Sequence, residues 1–447
     1  MKRAEFAILP VYLFMCLLLG GSSQGVWANA FLQLLAAAIL AWAWLARDPQ
    51  PLRPAAGWLL LILGAAALLF AIQLIPLPPS LWGLMPGRDF VARGFDLLGM
   101  PRPWMPISLS PDDTIAAALT LLPPLALLIG MLRTRSWTGQ WMFLALLAGT
   151  AVSIVLGVLQ VKAGDGWYFY KVTNLGLAVG TFANANHFAS LLLIAVPTLG
   201  ALAVSRGHAV RDARRRSIGL TLSAVAAAIL LIGILLTRSA AFLLIGPSVL
   251  AATAMMAMRL STTRVRQGFL GIAGLVALAG AVLVFAGDRM PGWGVNASVE
   301  TRQHYWATSL EAADDQIWTG WGFGTFQQAY RRFEDPGKVD RFYVNHAHND
   351  YAEIAVEGGV PALLLVGIFL LWWFGRARHA WTLPAATVEQ KAAAIASAAI
   401  LLHSLFDFPL RTAAISGAFA VSLALLAGAR GAVKPLADED RPRHATL

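Results

Sequence analysis

Apolar segments long enough to cross a lipid bilayer recur along almost the whole chain, from Phe6 to Gly428. A membrane-spanning helix needs about 20 mostly apolar residues, and division at charges, prolines and glycines gives about twelve candidates. They lie near 6–22, 26–46, 56–75, 114–132, 138–161, 187–204, 218–236, 240–258, 268–286, 358–375, 392–408 and 412–429. Backbone groups that meet hydrocarbon must be satisfied internally, which favours helices. The sequence therefore predicts an all-α polytopic membrane protein.

The composition excludes an ordinary soluble domain, because only 13% of the residues are charged, compared with roughly 25% in soluble proteins. The single cysteine, Cys16, lies in the first apolar segment, so neither a disulfide framework nor a cysteine metal site is expected. Ala28 and Ala30 after that segment could also mark a signal-peptide cleavage site. A second apolar segment begins almost at once, which favours an uncleaved span.

The basic residues predict the orientation of the chain. With a cytoplasmic N-terminus, 21 of the 34 lysines and arginines fall in loops or tails on the cytoplasmic side, as the positive-inside rule requires. Both termini, including a polar tail at 434–447, are then cytoplasmic. The formal charge of +10 belongs to these loops, so no nucleic-acid partner is predicted.

The opposite side carries a Pro-rich loop at 76–113 and a long loop at 287–357, which holds 11 of the 24 acidic residues. The spacing of apolar residues predicts an amphipathic helix at 299–316 and a second short helix near 325–333, with a glycine-rich break between them. We expect this mostly helical loop, between spans nine and ten, to fold over the membrane surface. It belongs to one membrane-embedded domain, 1–447.

The densest polar cluster closes the long loop, at 345–353, and Glu357 follows it. A histidine beside a carboxylate is the usual arrangement of a general base. If the chain is helical from Asn349 onward, Glu353 lies near His348 and shares a helix face with Glu357. This cluster is the first candidate for a catalytic site.

Two other interpretations of the cluster remain open. It could be a solvated helix N-terminus that Asn349 or Asp350 caps. Its two histidines and two glutamates could also bind a metal, although their spacing is not the His-Glu-x-x-His of zinc proteases.

Arginines near this cluster are candidates for binding phosphate through forked hydrogen bonds. Arg302 lies on the predicted amphipathic helix, and Arg331, Arg332 and Arg341 follow in the same loop, although a solvated arginine is the commoner outcome. Arg238 lies between two apolar segments with no polar linker. A charge there is costly unless it lines a cavity or reaches the interface.

Polar residues also mark the ends of other predicted spans. Asn184 and Asn186 precede the sixth span, where they could cap its helix or bind sugar hydroxyls. Asp407 and Arg411 lie between the last two spans, where they could bind substrate or pair with each other at i, i+4.

Taken together, these segments resemble the O-antigen ligase and polymerase superfamily of bacterial membrane glycosyltransferases. The resemblance covers the whole chain, and its most specific part is the histidine motif. It is carried by Gly180-Thr181-Phe182-x-Asn184-x-Asn186, by Arg302 before Trp306, by His346-x-His348-Asn349 followed by Glu357-Gly358, and by Asp407-Phe408-Pro409-Leu410.

The resemblance implies a GT-C-like fold and glycan transfer from an undecaprenyl-diphosphate carrier at the periplasmic face of the inner membrane, without metal or other cofactor. The acceptor would be lipid A-core in a ligase or a growing polysaccharide in a polymerase. The implied catalytic residues are His348 as the preferred base, His346 as the second choice, and Glu357. The implied substrate-binding residues are Arg302, Arg238, Asn349, Tyr351, Asn184, Asn186, Asp407 and Arg411.

One position departs from the family pattern. The hairpin after span seven usually has Thr-x-Ser-Arg, whereas this chain has Thr237-Arg238-Ser239-Ala240. Positions two apart on a helix differ by about 200°, so Arg238 could replace the missing arginine only from an irregular turn; otherwise the role is lost. Non-enzymatic alternatives are an envelope scaffold and a transporter of lipid-linked glycan, which usually shows repeated halves.

Overall fold

In a computed structural model of the chain, the structure describes residues 2–23, 26–46, 49–209, 213–258, 295–339 and 343–431. Regular structure in these ranges is helical, apart from an isolated bridge between Leu77 and Met105. The helices are α1 (Lys2–Leu19), α2 (Trp27–Trp44), α3 (Pro54–Leu74), α4 (Pro79–Trp82), α5 (Asp89–Leu97), α6 (Pro111–Thr120), α7 (Leu122–Arg133), α8 (Gly139–Ala163), α9 (Ala185–Ala209), α10 (Ala213–Thr237), α11 (Ala240–Met258), α12 (Val295–Asp315), α13 (Phe326–Phe333), α14 (Asp350–Thr382), α15 (Val388–His403) and α16 (Ala413–Leu426).

Eleven of the twelve predicted apolar segments coincide with these helices. The predicted segment 114–132 is two helices, α6 and α7, because the consecutive prolines Pro123 and Pro124 favour a new helix start. The helices predicted at 299–316 and 325–333 are confirmed as α12 and α13. The predicted span 268–286 and the tail 434–447 lie outside the described residues.

Six of the helical segments that the structure describes are long and apolar enough to cross a membrane. They are Trp27–Trp44, Pro54–Leu74, Pro111–Arg133, Gly139–Ala163, Ala185–Ser205 and Asp350–Thr382. Four shorter apolar helices accompany them, at Glu5–Leu19, Thr221–Thr237, Leu244–Met258 and Ala413–Leu426. These helices identify a membrane protein, and the total of twelve spans stays a prediction.

Helix α9 forms the centre of the bundle. It packs against α8, α10, α11 and α15, and 83% of its apolar window is buried inside the protein. A helix that is apolar on every face fits such a central position. Helices α2 and α3 lie at the periphery and expose Leu34, Trp58 and Leu61, which suits a surface in contact with lipid.

Helix α14 contains a kink at Gly359, where φ is +58°. Pro361 has no N–H and cannot donate to the carbonyl of Glu357, four residues earlier. That carbonyl instead accepts hydrogen bonds from the Gly322 backbone and the Gln73 side chain, both at 3.0 Å. The kink therefore binds the first turns of α14 to the glycine-rich turn before α13 and to the end of α3.

The polar residues of several helix ends meet at one end of the bundle. Ser23, between α1 and α2, lies 3.1 Å from the ring of His346, just before α14. Asn186, in the first turn of α9, reaches Asp407 in the connection between α15 and α16. The tip of the α10–α11 hairpin joins them through Ser239. This convergence of chain segments forms the candidate site.

Candidate functional site

Asp407 lies in the turn between α15 and α16, is fully buried, and connects five polar side chains that we call the Asp407 network. Its Oδ1 lies 3.4 Å from His348 Nδ1 and 3.6 Å from His187 Nε2. Its Oδ2 lies 3.6 Å from the Arg302 guanidinium and accepts a 2.7 Å hydrogen bond from Asn186. Burial opposes ionisation of this carboxyl, but hydrogen bonds from the two histidines hold the pKa of Asp407 well below its ordinary value. The site therefore contains a permanent carboxylate beside two imidazoles.

His348 is held in a left-handed backbone conformation, with φ at +50°. Its carbonyl accepts a hydrogen bond from Trp306 of α12 at 3.3 Å, and its ring stacks on Tyr305 with centroids 5.8 Å apart. Sparsely populated conformations of this kind persist when the surroundings fix them, and they cluster at functional sites. Two aromatic residues of α12 therefore help to set the direction of the His348 side chain.

The expectation that Glu353 lies beside His348 is wrong. The N-cap of α14 is Asn349, so His348 precedes the helix and does not share its face. Glu353 instead pairs with His346, whose Nδ1 lies 2.8 Å from Glu353 Oε1. Each histidine of the motif thus has a carboxylate partner, but His348 takes a partner from a distant part of the chain.

A second set of charges, the Arg411 network, surrounds the guanidinium of Arg411. This group lies 3.0 Å from Glu357, 3.4 Å from Glu353 and 3.7 Å from Asp350. Burial disfavours its charge, but the three carboxyl groups raise the pKa of Arg411 above its usual value. Through Glu353 the network also includes His346. Glu353 and Glu357 do share one face of α14, as the sequence predicts.

The predicted pairing of Asp407 with Arg411 is wrong. The chain between them forms a 3-10 turn, Pro409–Arg411, rather than a regular α-helical turn. Arg411 consequently extends to the acidic residues of α14, whereas Asp407 faces His348. The two residues anchor separate networks.

Phe408 separates these networks. Its ring centroid lies 4.1 Å from that of His346 and 5.0 Å from that of His348. The phenyl ring also contacts His187 edge-on at 4.8 Å. An apolar ring between the two motif histidines keeps them on different sides of the site.

Two cavities open beside the networks. The larger, about 550 Å³, is lined by His346, Glu357 and Arg411, and the smaller, about 170 Å³, is lined by His348. Ser23 and Asn345 line both. The two cavities are therefore adjacent and border different networks.

Three predicted substrate-binding residues have structural contacts of their own. Asn349 caps α14 by accepting hydrogen bonds from two backbone amides, and the Tyr351 hydroxyl donates to the Leu401 carbonyl. Asn184 accepts a hydrogen bond from the Asn186 backbone and also lines the smaller cavity. The capping interpretation of Asn349 is confirmed, and the substrate contacts of all three stay predictions.

Arg238 occupies the turn between α10 and α11, with φ at +48° and an exposed side chain. This is an irregular turn, which is the condition for Arg238 to take the place of the missing arginine. Ser239 beside it donates a 2.8 Å hydrogen bond to Asn186, so the hairpin tip adjoins the Asp407 network. Ala240 is the first residue of α11.

Sequence reasoning missed His187, Ser239 and Phe408 as members of the site. His187 stands at the start of an apolar span, where an ionisable residue is by default a candidate for function, so a signal was present. Ser239 and Phe408 carry no such signal. In the described ranges no group of three or more His, Cys, Asp and Glu side chains is placed to hold a metal ion, and metal-independent chemistry stays a prediction.

Residues 224–367 match the family model described as O-antigen ligase. The matched region includes the α10–α11 hairpin, Arg302 and both histidines of the motif, whereas Asn186 and Asp407 lie outside it. No curated protein matches the chain. The family match supports an O-antigen ligase-like family and a glycosyltransferase of the ligase or polymerase type.

Proposed function

With an O-antigen ligase-like domain as the premise, we propose that this protein transfers a glycan from an undecaprenyl-diphosphate carrier to an acceptor sugar at the periplasmic face of the bacterial inner membrane. The acceptor is lipid A-core in ligase-type transfer and a growing polysaccharide in polymerase-type transfer. The observation that carries the proposal is the 3.4 Å approach of His348 Nδ1 to the buried carboxylate of Asp407. Transfer to a hydroxyl group requires a base, and this pair supplies one.

In the proposed reaction, Asp407 holds the Nδ1 side of His348, which leaves Nε2 as the basic nitrogen. Nε2 takes the proton of the acceptor hydroxyl while the hydroxyl oxygen forms a bond to the anomeric carbon of the glycan. The bond from that carbon to the diphosphate oxygen breaks, and the carrier diphosphate leaves with the electron pair. Asp407 stays ionised and stabilises the imidazolium that forms.

Arginines stabilise the leaving diphosphate in this proposal. Arg302 is positioned by Asp407, at 3.6 Å, and keeps 20% of its side chain exposed. Arg238 extends from the adjoining hairpin turn. Guanidinium groups match phosphate oxygens through forked hydrogen bonds, and fixed positive charge at a developing anion is among the largest contributions to catalysis.

The test incubates the detergent-purified protein with an undecaprenyl-diphosphate oligosaccharide, with and without lipid A-core, and follows products by mass. Glycan on lipid A-core indicates a ligase, and a ladder of carrier-linked glycans without added acceptor indicates a polymerase. We expect His348→Ala to abolish product while donor binding persists. His379→Ala, an exposed histidine at the far end of α14, is the matched control. Full activity of His348→Ala would refute the base assignment.

A further inference from the structure

The larger cavity has the wrong charge for a diphosphate. Its lining contains the carboxylates Asp113, Glu353 and Glu357 and the guanidinium of Arg411. With His346 neutral, these groups carry a formal charge of −2. Arg411 is already paired with Glu353 and Glu357, so its charge is not available to a second anion. Repulsion between like charges at close range disfavours an anionic ligand here.

The smaller cavity has the opposite character. Its lining contains no carboxylate among the described residues, and includes His187, His348 and the amides of Asn174 and Asn184. Arg302 is held by the same Asp407 that faces both histidines. Of the two cavities, this one accommodates negative charge.

The larger cavity instead presents groups that suit sugar hydroxyls. Gln33, Gln327 and Asn345 line it, and their side-chain amides hydrogen-bond to no described residue. Each amide offers two donors and one acceptor oxygen, which is the mixture that hydroxyl groups require. Trp27 and Tyr343 stand in the same lining with 76% and 59% of their surfaces exposed, and such rings combine apolar contact area with a polar tip.

We propose that the larger cavity is the binding site for an uncharged saccharide, and that the carrier diphosphate occupies the smaller cavity beside His348 and Arg302. Ser23 and Asn345 border both cavities, so a saccharide in the larger one ends next to the base. The assignment of the saccharide to a substrate rests on the proposed glycan transfer. The binding itself is measurable without turnover.

The experiment uses the full-length protein in nanodiscs and two probes, a neutral oligosaccharide and inorganic pyrophosphate, with binding followed by calorimetry. The double variant Gln33→Ala with Gln327→Ala removes two amides from the larger cavity. We expect it to weaken oligosaccharide binding about tenfold and to leave pyrophosphate binding unchanged. Arg302→Gln should show the reverse pattern. Gln303→Ala, an exposed glutamine outside both linings, is the control and should change neither.

Oligosaccharides released from the donor and from the acceptor are tested separately, and the one that loses affinity in the double variant identifies which substrate the cavity binds. Unchanged binding of both, or an equal loss of pyrophosphate binding, would overturn the proposal. Binding of both probes to their expected sites, without transfer in the activity assay, would overturn the proposed function and leave the saccharide site standing. A thermal-unfolding curve that matches the unsubstituted protein shows that each variant is folded.

Discussion

Asp407 makes contacts that only an ionised carboxylate at that position can make. It faces two imidazoles and a guanidinium within 3.6 Å and is itself fully buried. In Asp407→Asn the shape is kept, but the amide cannot balance the imidazolium that forms on His348. We expect the transfer rate at saturating donor to fall by about 10²–10⁴, measured as initial velocity of product formation.

Asp335→Asn is the matched control for this substitution, because Asp335 is an exposed aspartate of the loop between α13 and α14. It should leave the rate unchanged. If Asp407→Asn transferred at the normal rate while His348→Ala did not, Asp407 would be a structural residue and the base would act alone.

Arg238 decides whether the chain keeps the charge that Ala240 lacks. Loss of one group that stabilises a developing anion costs about 10²–10³ in rate, so Arg238→Ala should lower transfer by that order. Combining it with Ala240→Arg should restore most of the rate, because α11 begins at position 240 and the new side chain leaves the same hairpin. Arg331→Ala, an exposed arginine of α13, should have no effect. An unchanged rate in Arg238→Ala would discard the compensation.

The chemistry of individual residues was predictable from the sequence, but their partners were not. His348 and Asp407 were both selected from local motifs. Their pairing depends on the left-handed conformation of His348 and on the turn that directs Arg411 away from Asp407. Neither feature leaves a mark in hydropathy or in helical spacing, so the sequence favoured Glu353 as the neighbour of His348.

At the scale of elements, the kink of α14 joins the catalytic loop to the membrane bundle. Gly359 has a φ of +58°, and an added Cβ would lie 2.4 Å from the Ile317 carbonyl oxygen. Gly359→Ala therefore meets both a backbone penalty of about 1–2 kcal/mol and a steric clash with main chain. We expect a clear loss of thermal stability in detergent, measured by unfolding-monitored size-exclusion chromatography.

Gly367 supplies the control for the kink, since it lies in the same helix and an added Cβ there meets open space. Gly367→Ala should be neutral or slightly stabilising, because alanine has the higher helix propensity. Equal stability of the two variants would show that the kink tolerates a side chain.

The sequence predicted most helices and misplaced the start of α14. Hydropathy placed the span at 358–375, whereas the helix begins at Asp350. Its first turns carry Asp350, Glu353 and Glu357, all buried by the Arg411 network and the glycine-rich turn. Hydropathy treats charged residues as solvated, so a helix turn whose charges are satisfied by distant residues cannot be recognised from local composition.

At the scale of the whole molecule, α14 relates the site to the membrane. Its 33 residues extend about 50 Å at 1.5 Å per residue, which exceeds a hydrocarbon core of about 30 Å. The part after the kink is by itself long enough to cross. Since the candidate site surrounds the first residue of α14, the site and the connection between α14 and α15 must lie on opposite sides if this helix spans the bilayer.

Cysteine labelling tests that arrangement, because the native Cys16 is buried and Cys16→Ala provides a cysteine-free background. Val339→Cys lies in the long loop and Ala385→Cys in the connection after α14, and both positions are exposed. With a membrane-impermeant maleimide, we expect Val339→Cys to react in intact spheroplasts and Ala385→Cys to react only after the membrane is permeabilised. The reverse pattern would place the site in the cytoplasm, where no carrier-linked glycan awaits transfer in the proposed reaction. Reaction of both in intact spheroplasts would mean that α14 does not span the bilayer.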